Sequence, residues 1–394
     1  MDVICFGQQN WDFCWTGKQH LMTRLAARGH RVLYVDPDLE LGTRLRDVPR
    51  SLAPLWTGFG LREVVPRCWV FTHPYSPALR WRLSVRRYPR VLRASVRRLG
   101  FEQPICLTLQ PRALPFTDVV PFAARVHYAI DEMTAYGGLP APEQARVRAM
   151  EEELVRRSHV SLAISQRLLA RLRGLQPRTY LLPSGADLDH FAPDRLAELA
   201  PVPELAELPQ PVFGFVGQID ERIDQALLLA LARARPDASI VLVGRTKPGV
   251  DFSTLRALPN LHWLGHRPFA ELPRLIRHMD VCLVPYRLDA LTHSCSPLKL
   301  YEYLACGRPA VVTPLDGLLD CRGVVEVADT PGAFCAAVER CLASTEAERA
   351  ARLAVAARNS WESRVDELEK HLAEAVSLAA GGASSDARTA AAPP

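Results

Sequence analysis

The stretch Ser296-Pro297-Leu298-Lys299-Leu300-Tyr301-Glu302-Tyr303-Leu304-Ala305-Cys306-Gly307-Arg308-Pro309-Ala310-Val311-Val312 predicts a cap, a short helix, a glycine stop and an interior strand. Ser296 is placed to cap exposed amides, and Pro297 suits the first helical position. Gly307 and Pro309 then end the helix before an apolar run. Lys299 and Glu302 stand three residues apart, so they project from one face, beside helix N-terminal amides that favour phosphate. A cation for phosphate and a carboxylate for vicinal hydroxyls together suit a nucleotide. As a bland alternative, Lys299 is a solvated helix residue and Glu302 its ion-pair partner.

On either side of this stretch, apolar strand-like runs alternate with helical patterns, which predicts an α/β chain with parallel sheets covered by helices. Val3–Phe6, Arg31–Val35, Cys68–Thr72, Ile105–Leu109, Val126–Ile130 and Val160–Ile164 form a first set of strands. Phe213–Val216, Ile240–Val243, His262–Leu264, Val281–Val284 and Ala310–Val312 form a second. A length of 394 residues suits two domains of roughly 150 to 200 residues each. Residues 1–195 are expected to form the first and 205–360 the second, joined by a Pro-, Ala- and acid-rich hinge within Ala192–Pro211. The last long helical pattern, about Glu346–Val376 with Trp361 near its middle, gives a helix over 361–378 expected to pack back towards the first domain. A Gly-, Ser- and Ala-rich tail over 379–394 reads as disordered.

Composition narrows the function classes. Hydrophobic residues make up 48% of the chain, enough for two cores, yet no run approaches the roughly 20 apolar residues of a membrane span. Met1–Gly7 is strand-like, with no basic n-region or cleavage site, so a cytoplasmic location is expected. The ten cysteines are scattered without Cys-x-x-Cys, which predicts reduced core thiols. His262 and His266 straddle a strand-to-turn sequence; no metal site and no cofactor are expected. Net charge is +5, but arginines 80, 82, 86, 87, 90, 93, 97 and 98 crowd one segment with interleaved apolar residues. Residues 78–99 thus read as a basic amphipathic helix for peripheral contact with an anionic membrane, at the inner face, or with a phosphate-bearing acceptor. A solvated face in an arginine-rich chain with four lysines is the equal alternative, and Pro89 argues against an uninterrupted helix. No nucleic-acid motif is present.

The segment 296–312 resembles the donor-site helix of GT-B glycosyltransferases, and more closely the family 4 (group 1) type. That pattern is a glutamate on a short helix followed by small-Gly-x-Pro-Val-Val. The resemblance implies two Rossmann-like domains with parallel sheets facing an interdomain cleft. Family 4 members usually carry a second glutamate eight positions earlier, which helps hold the donor sugar; here that position is Ser294. The later glutamate binds the nucleotide ribose and maps onto Glu302.

Other landmarks follow the same resemblance. The turn Phe6-Gly7-Gln8-Gln9-Asn10-Trp11-Asp12 follows the first strand, and it contains no Gly-x-Gly-x-x-Gly, which argues against an NAD enzyme. A glycine there lets the backbone approach a ligand, and the resemblance makes Gly7, Gln9, Asn10 and Trp11 candidates for acceptor or sugar contacts, with Trp11 equally readable as core. Where the family commonly has a histidine near the donor's reacting carbon, this chain has Asp131 and Glu132. Either carboxylate could act as a base or orient a hydroxyl, or could cap the following turn. Ser165 and the run Leu182–Phe191 resemble an architectural signature of the family, with Ser184 in place of its asparagine.

In the second domain the turn 217–224 has Gln218 where the family has a first diphosphate-binding cation. Arg222 is the best remaining one, unless it pairs with Asp220 or Asp224. Arg245 and Arg267 follow glycine turns that line the donor site in the family, and each also reads as a surface arginine. Amides at Cys295, Ser296 and Leu298, together with Lys299, would meet the diphosphate and stabilise a departing nucleotide without metal. The resemblance implies transfer of a sugar from a nucleotide-sugar donor to an acceptor hydroxyl on a lipid-linked glycan or small molecule. Configuration would be retained, in cell-surface polysaccharide or natural-product glycosylation. A nucleotide-sugar epimerase and a catalytically silent nucleotide-binding subunit are the alternatives.

Overall fold

Continuous apolar runs, rather than alternating ones, mark strands covered on both faces. In the structure, a computed structural model, most of the runs read above fall in such strands, while His262–Leu264 lies in a half-exposed edge strand. It describes residues 1–37, 60–72, 81–136, 139–193, 195 and 202–390. The chain divides into two compact units, one of Met1–Leu182 with Val365–Pro394 and the other of Pro183–Arg364.

The first unit is built on eight strands: β1 (Asp2–Phe6), β2 (Arg31–Val35), β3 (Gly60–Val65), β4 (Cys68–Thr72), β5 (Ile105–Thr108), β6 (Ala124–Ala129), β7 (Val160–Ala163) and β8 (Thr179–Leu181). Their order is β3-β4-β2-β1-β5-β6-β7-β8, parallel except for the edge strand β3. Central β1 pairs with β2 and β5, Val3 lying opposite Val32 and Ile105. Strands β3 and β8 escape the sequence reading because β3 is a half-exposed edge and β8 has three residues.

The helix Trp81–Arg98 runs through Pro89, contrary to the interruption expected there. Tyr88, Leu92 and Val96, spaced four apart, pack with Ile4, Phe6, Leu33 and Phe71 in one core. Burying three such side chains, at about 1.5–3 kcal/mol each, outweighs the ~3 kcal/mol a proline costs inside a helix. Arg90, Arg93, Arg97 and Arg98 lie on the exposed side; residues 78–80 of the basic segment fall outside the described residues.

The second unit carries six parallel strands, β9 (Val212–Val216), β10 (Ser239–Val243), β11 (Leu261–Gly265), β12 (Val281–Val284), β13 (Ala310–Val312) and β14 (Glu326–Val327), in the order β11-β10-β9-β12-β13-β14. It begins at Pro183, ahead of the expected hinge, whose residues 194 and 196–201 fall outside the described ones. The reason is local pairing. Ala186 bridges Ser360 in parallel, its amide donating to the Asn359 carbonyl (2.8 Å) and its carbonyl accepting from the Trp361 amide (2.9 Å). The same pairing breaks the expected helix over 346–376 in two, Glu346–Arg358 and Trp361–Ala390.

From Val365 onward the last helix belongs to the first unit. Val365, Leu368, Leu372 and Ala375 are buried at helical spacing, while Arg28 and His30 pair with Glu369, and Tyr180 stacks on His371. The helix continues past 378 to Ala390, where disorder was expected: at about 1 kcal/mol per glycine, Gly381 and Gly382 do not end a helix with alanine-rich flanks. Residues 391–394 of that tail lie outside the described residues. No described helix is long and apolar enough to cross a membrane.

Candidate functional site

Ligands of open parallel sheets bind outside the carboxyl ends of the strands, and in the second unit that edge holds the helix Leu298–Ala305. β9 is followed by Gly217, whose φ of 140° and missing side chain leave room for Lys299: a Cβ there would stand 2.6 Å from Lys299 Cε and 3.0 Å from Nζ. Gly244, after β10, backs onto Gly217 so closely that a Cβ would meet the Gly217 carbonyl oxygen at 1.7 Å. Lys299 Nζ donates to Tyr286 Oη (2.5 Å) and lies 4.9 Å and 4.8 Å from the ring centroids of Phe215 and Tyr286. Two aromatic rings therefore hold the ammonium group against the strand ends.

Glu302 projects from the same helix and is 5% exposed. Its carboxylate makes no side-chain hydrogen bond among the described residues, and burial pushes its pKa up to about 7, with Lys299 opposing and Asp187 reinforcing the shift. The Lys299–Glu302 ion pair of the bland alternative does not form, since Lys299 turns to Tyr286 instead. A buried acceptor without a partner has full capacity for a ligand's hydroxyl donors.

Ser296 does not cap this helix. Pro297 is the N-cap and Leu298 the first helical residue, because the Ser296 hydroxyl accepts from the Ser184 amide (3.1 Å) while Ser184 Oγ donates to the Ser296 carbonyl (3.0 Å). The amides of Leu298 and Lys299, at the helix start, have no intrahelical partner. The Cys295 amide, expected to face a diphosphate, is spent on the Thr292 carbonyl (3.2 Å). Ser294, at the position of the family's first glutamate, is fully buried and donates to the Ala290 carbonyl (2.7 Å).

Of the three arginines, Arg222 stands nearest. It grips Asp220 with Nε (2.9 Å) and Nη2 (2.7 Å), and its guanidinium lies 5.5 Å from the Tyr286 ring centroid, so both cations flank one tyrosine. Arg245 is exposed on the turn after β10. Arg267 pairs with Glu204 (2.5 Å) and, more loosely, with Glu271 (3.9 Å). Phe215 and Tyr286 as the cradle of Lys299, and Asp187 as a charge neighbour of Glu302, went unassigned in the sequence; the run Val284-Pro285-Tyr286 was the available signal.

In the first unit the turn after β1 is organised by Tyr34. A Cβ on Gly7 would stand 1.9 Å from Tyr34 Oη, so this glycine makes room for a tyrosine. Tyr34 donates to the Gln9 carbonyl (2.6 Å). Trp11 is a core residue, 6% exposed and edge-on to Tyr34, with its amide donating to Asp36 (2.7 Å). Burial holds the Asp36 carboxyl at about 6 despite bonds from Thr72 and the Trp11 amide. Gln9 and Asn10 remain partly exposed.

Asp131 and Glu132 follow β6 and diverge. Tyr136 donates to Asp131. Glu132 turns inward, accepting from Thr134 Oγ1 (2.5 Å) and pairing with Arg171 (3.4 Å), which also binds Glu151 (2.6 Å). Glu151 lies 3.9 Å from buried His127, which bonds Thr108 (2.9 Å). Glu132 is thus the end of a buried ionic chain that fastens the 131–136 turn.

No group of three or more His, Cys, Asp or Glu among the described residues could hold a metal ion. Residues 210–344 match the family model described as "Glycosyl transferases group 1". Over 106 residues the chain is 35% identical to TuaH of Bacillus subtilis (strain 168), described as a teichuronic acid biosynthesis glycosyltransferase; the match covers 26% of this chain and 27% of that protein. Among solved structures, sucrose-phosphate synthase from Thermosynechococcus elongatus superposes with a TM-score of 0.69 at 16% identity, over 94% of this chain and 98% of the other. Anabaena Alr3699/HepE in complex with UDP-glucose does so at 0.67 and 14%, over 95% and 99%. These likenesses establish the GT-B fold.

Proposed function

We propose that this protein transfers a sugar from a nucleotide-sugar donor to an acceptor hydroxyl, since residues 210–344 match the model of the group 1 glycosyl transferases and the chain has the GT-B fold. The reading rests on Lys299 and Glu302: a cation fixed at a helix start between two rings, and, on the same short helix, a buried carboxylate with no partner. Lys299 and the Leu298 and Lys299 amides bind the diphosphate and stabilise the charge that develops on the leaving nucleotide, a task they perform without a metal ion. Glu302 accepts from the ribose hydroxyls. Arg222, steered by Asp220, adds positive charge on the other side of Tyr286. Arg245 is a further donor contact, whereas Arg267 acts through the Glu204 pair.

In the first unit, Asp131 is the catalytic member of the carboxylate pair, and Gln9 and Asn10 contact acceptor or sugar. Transfer retains anomeric configuration. UDP-hexose is the donor class, supported by the UDP-glucose bound by the HepE neighbour, and cell-surface polysaccharide assembly is the setting, supported by the description of TuaH. Melting temperature of the wild type and Glu302→Ala with UDP, GDP, ADP and dTDP tests the donor site, since a ligand specific for the folded state raises stability by mass action. UDP should stabilise the wild type and not the variant. Stabilisation of neither protein by any nucleotide would remove the basis of the reading.

A further inference from the structure

A cavity of about 460 Å³ opens at the opposite edge of the second unit's sheet, where Asp280 and Pro309 precede β12 and β13. Among the described residues its wall carries Arg277, Arg308, Arg349 and Arg352 beside Asp280 and Glu346. Asp280 accepts from the Val212 amide (2.8 Å), and Glu346 is held by Arg349 (2.8 Å). Arg352 is 5% exposed, and among the described residues it hydrogen-bonds only from Nε to the Gly307 carbonyl (3.1 Å). No carboxylate lies within ion-pair distance of it among the described residues, and burial pulls its pKa down. Arg308 likewise has no ion pair among the described residues and donates to the Arg277 carbonyl.

Buried charges are ordinarily paired, and a cavity of this size matches small-molecule sites. Several guanidinium groups converging on one space suit the planar, bidentate recognition of phosphate. The partial negative charge at the C-terminal end of the helix Leu298–Ala305 is about half an elementary charge, well below what the arginines supply. We propose that this cavity is a second binding site, for a small molecule bearing a phosphate or diphosphate group, held by Arg308, Arg349 and Arg352 and distinct from the donor-side edge of the same sheet. The inference is independent of the sugar-transfer reading.

The test is the melting temperature of the full chain in pyrophosphate against sodium chloride of equal ionic strength, for Lys299→Ala and for Lys299→Ala combined with Arg308→Gln and Arg349→Gln. Arg308 and Arg349 are partly exposed, so their replacement leaves the core intact, and circular dichroism checks the fold. At about ten times the dissociation constant, pyrophosphate should raise the melting temperature of Lys299→Ala, which lacks the donor-side cation, by about 3 °C, and combining Lys299→Ala with the two arginine substitutions should remove that rise. No rise in Lys299→Ala, or a rise that survives the added arginine substitutions, would each overturn the proposal.

Discussion

Gly217 and Lys299 occupy one another's space: the lysine side chain runs where a Cβ at 217 would be, within 2.6 Å of its Cε. The glycine after β9 is therefore a lysine-positioning device, and its φ of 140° adds a second reason for the absence of a side chain. Gly217→Ala should displace Lys299 from Tyr286 and cost the charge-assisted bonds to a diphosphate, about 1.5–3 kcal/mol. Calorimetric titration with UDP would then show affinity about 10- to 100-fold weaker than wild type. Unchanged affinity in a folded variant would mean that Lys299 does not need this cradle.

Glu302 makes two pH dependences of opposite sign. Its pKa is raised from an ordinary 4.5 to about 7, so its protonated form is favoured in the folded state. The associated stability is fully present below pH 4.5 and is lost as pH rises through about 7, an effect of at most about 3 kcal/mol. Glu302→Gln should abolish this slope, as urea unfolding at pH 5 and pH 8 would report. Nucleotide binding should run the other way in the wild type, strengthening as pH rises through 7, because the ionised carboxylate is the better acceptor for ribose hydroxyls. A wild-type affinity that is flat across that range would count against Glu302 as the ribose ligand.

The strands and the donor-side helix were legible because their signals are local: buried parallel strands are continuous apolar runs, and Lys299 and Glu302 share a face by spacing alone. What escaped depends on partners distant in sequence. Ser296 looks like a cap until Ser184, 112 residues away, claims its hydroxyl. Pro89 looks like a breaker until Tyr88, Leu92 and Val96 are seen in a shared core. Gly7 reads as a ligand contact, and Trp11 as either a contact or core, because nothing in the turn announces Tyr34, which fills the space beside both. The break at Asn359-Ser360 follows from pairing with Ala186, and helical periodicity is blind to that.

Ser184 and Ser296 exchange two hydrogen bonds, both buried, that tie the start of the second unit to the donor-side helix. Ser296→Ala leaves the Ser184 amide without its acceptor and should cost about 1–3 kcal/mol; Ser184→Ala should cost somewhat less, since a carbonyl has other lone pairs to offer. Each side chain bonds the other residue's backbone, so the two substitutions remove separate bonds and the double variant should fall near the sum of the single losses. Urea unfolding of the four proteins measures this, and a double variant no less stable than Ser296→Ala alone would show that the Ser184 hydroxyl contributes nothing.

Asp131 and Glu132 are neighbours in sequence with different expected losses. Glu132 is bound to Thr134 and Arg171, and through Arg171 to Glu151, whose pKa settles at about 2 because His127 and Arg171 overcome the effect of burial. The Glu151 contribution to stability is present above about pH 4.5 and is lost as pH falls towards 2. Glu132→Gln should therefore destabilise the protein by about 1–3 kcal/mol while leaving turnover within a few-fold, because its partners are internal. Asp131→Asn should change stability by less than about 1 kcal/mol and lower turnover by about 100-fold or more, the usual loss when a general base is removed. Steady-state rates with UDP-hexose and acceptor, set beside urea midpoints, separate the two. Equal kinetic losses would place both carboxylates in the chemistry, and a rate lost with Glu132 alone would move the catalytic role from Asp131 to its neighbour.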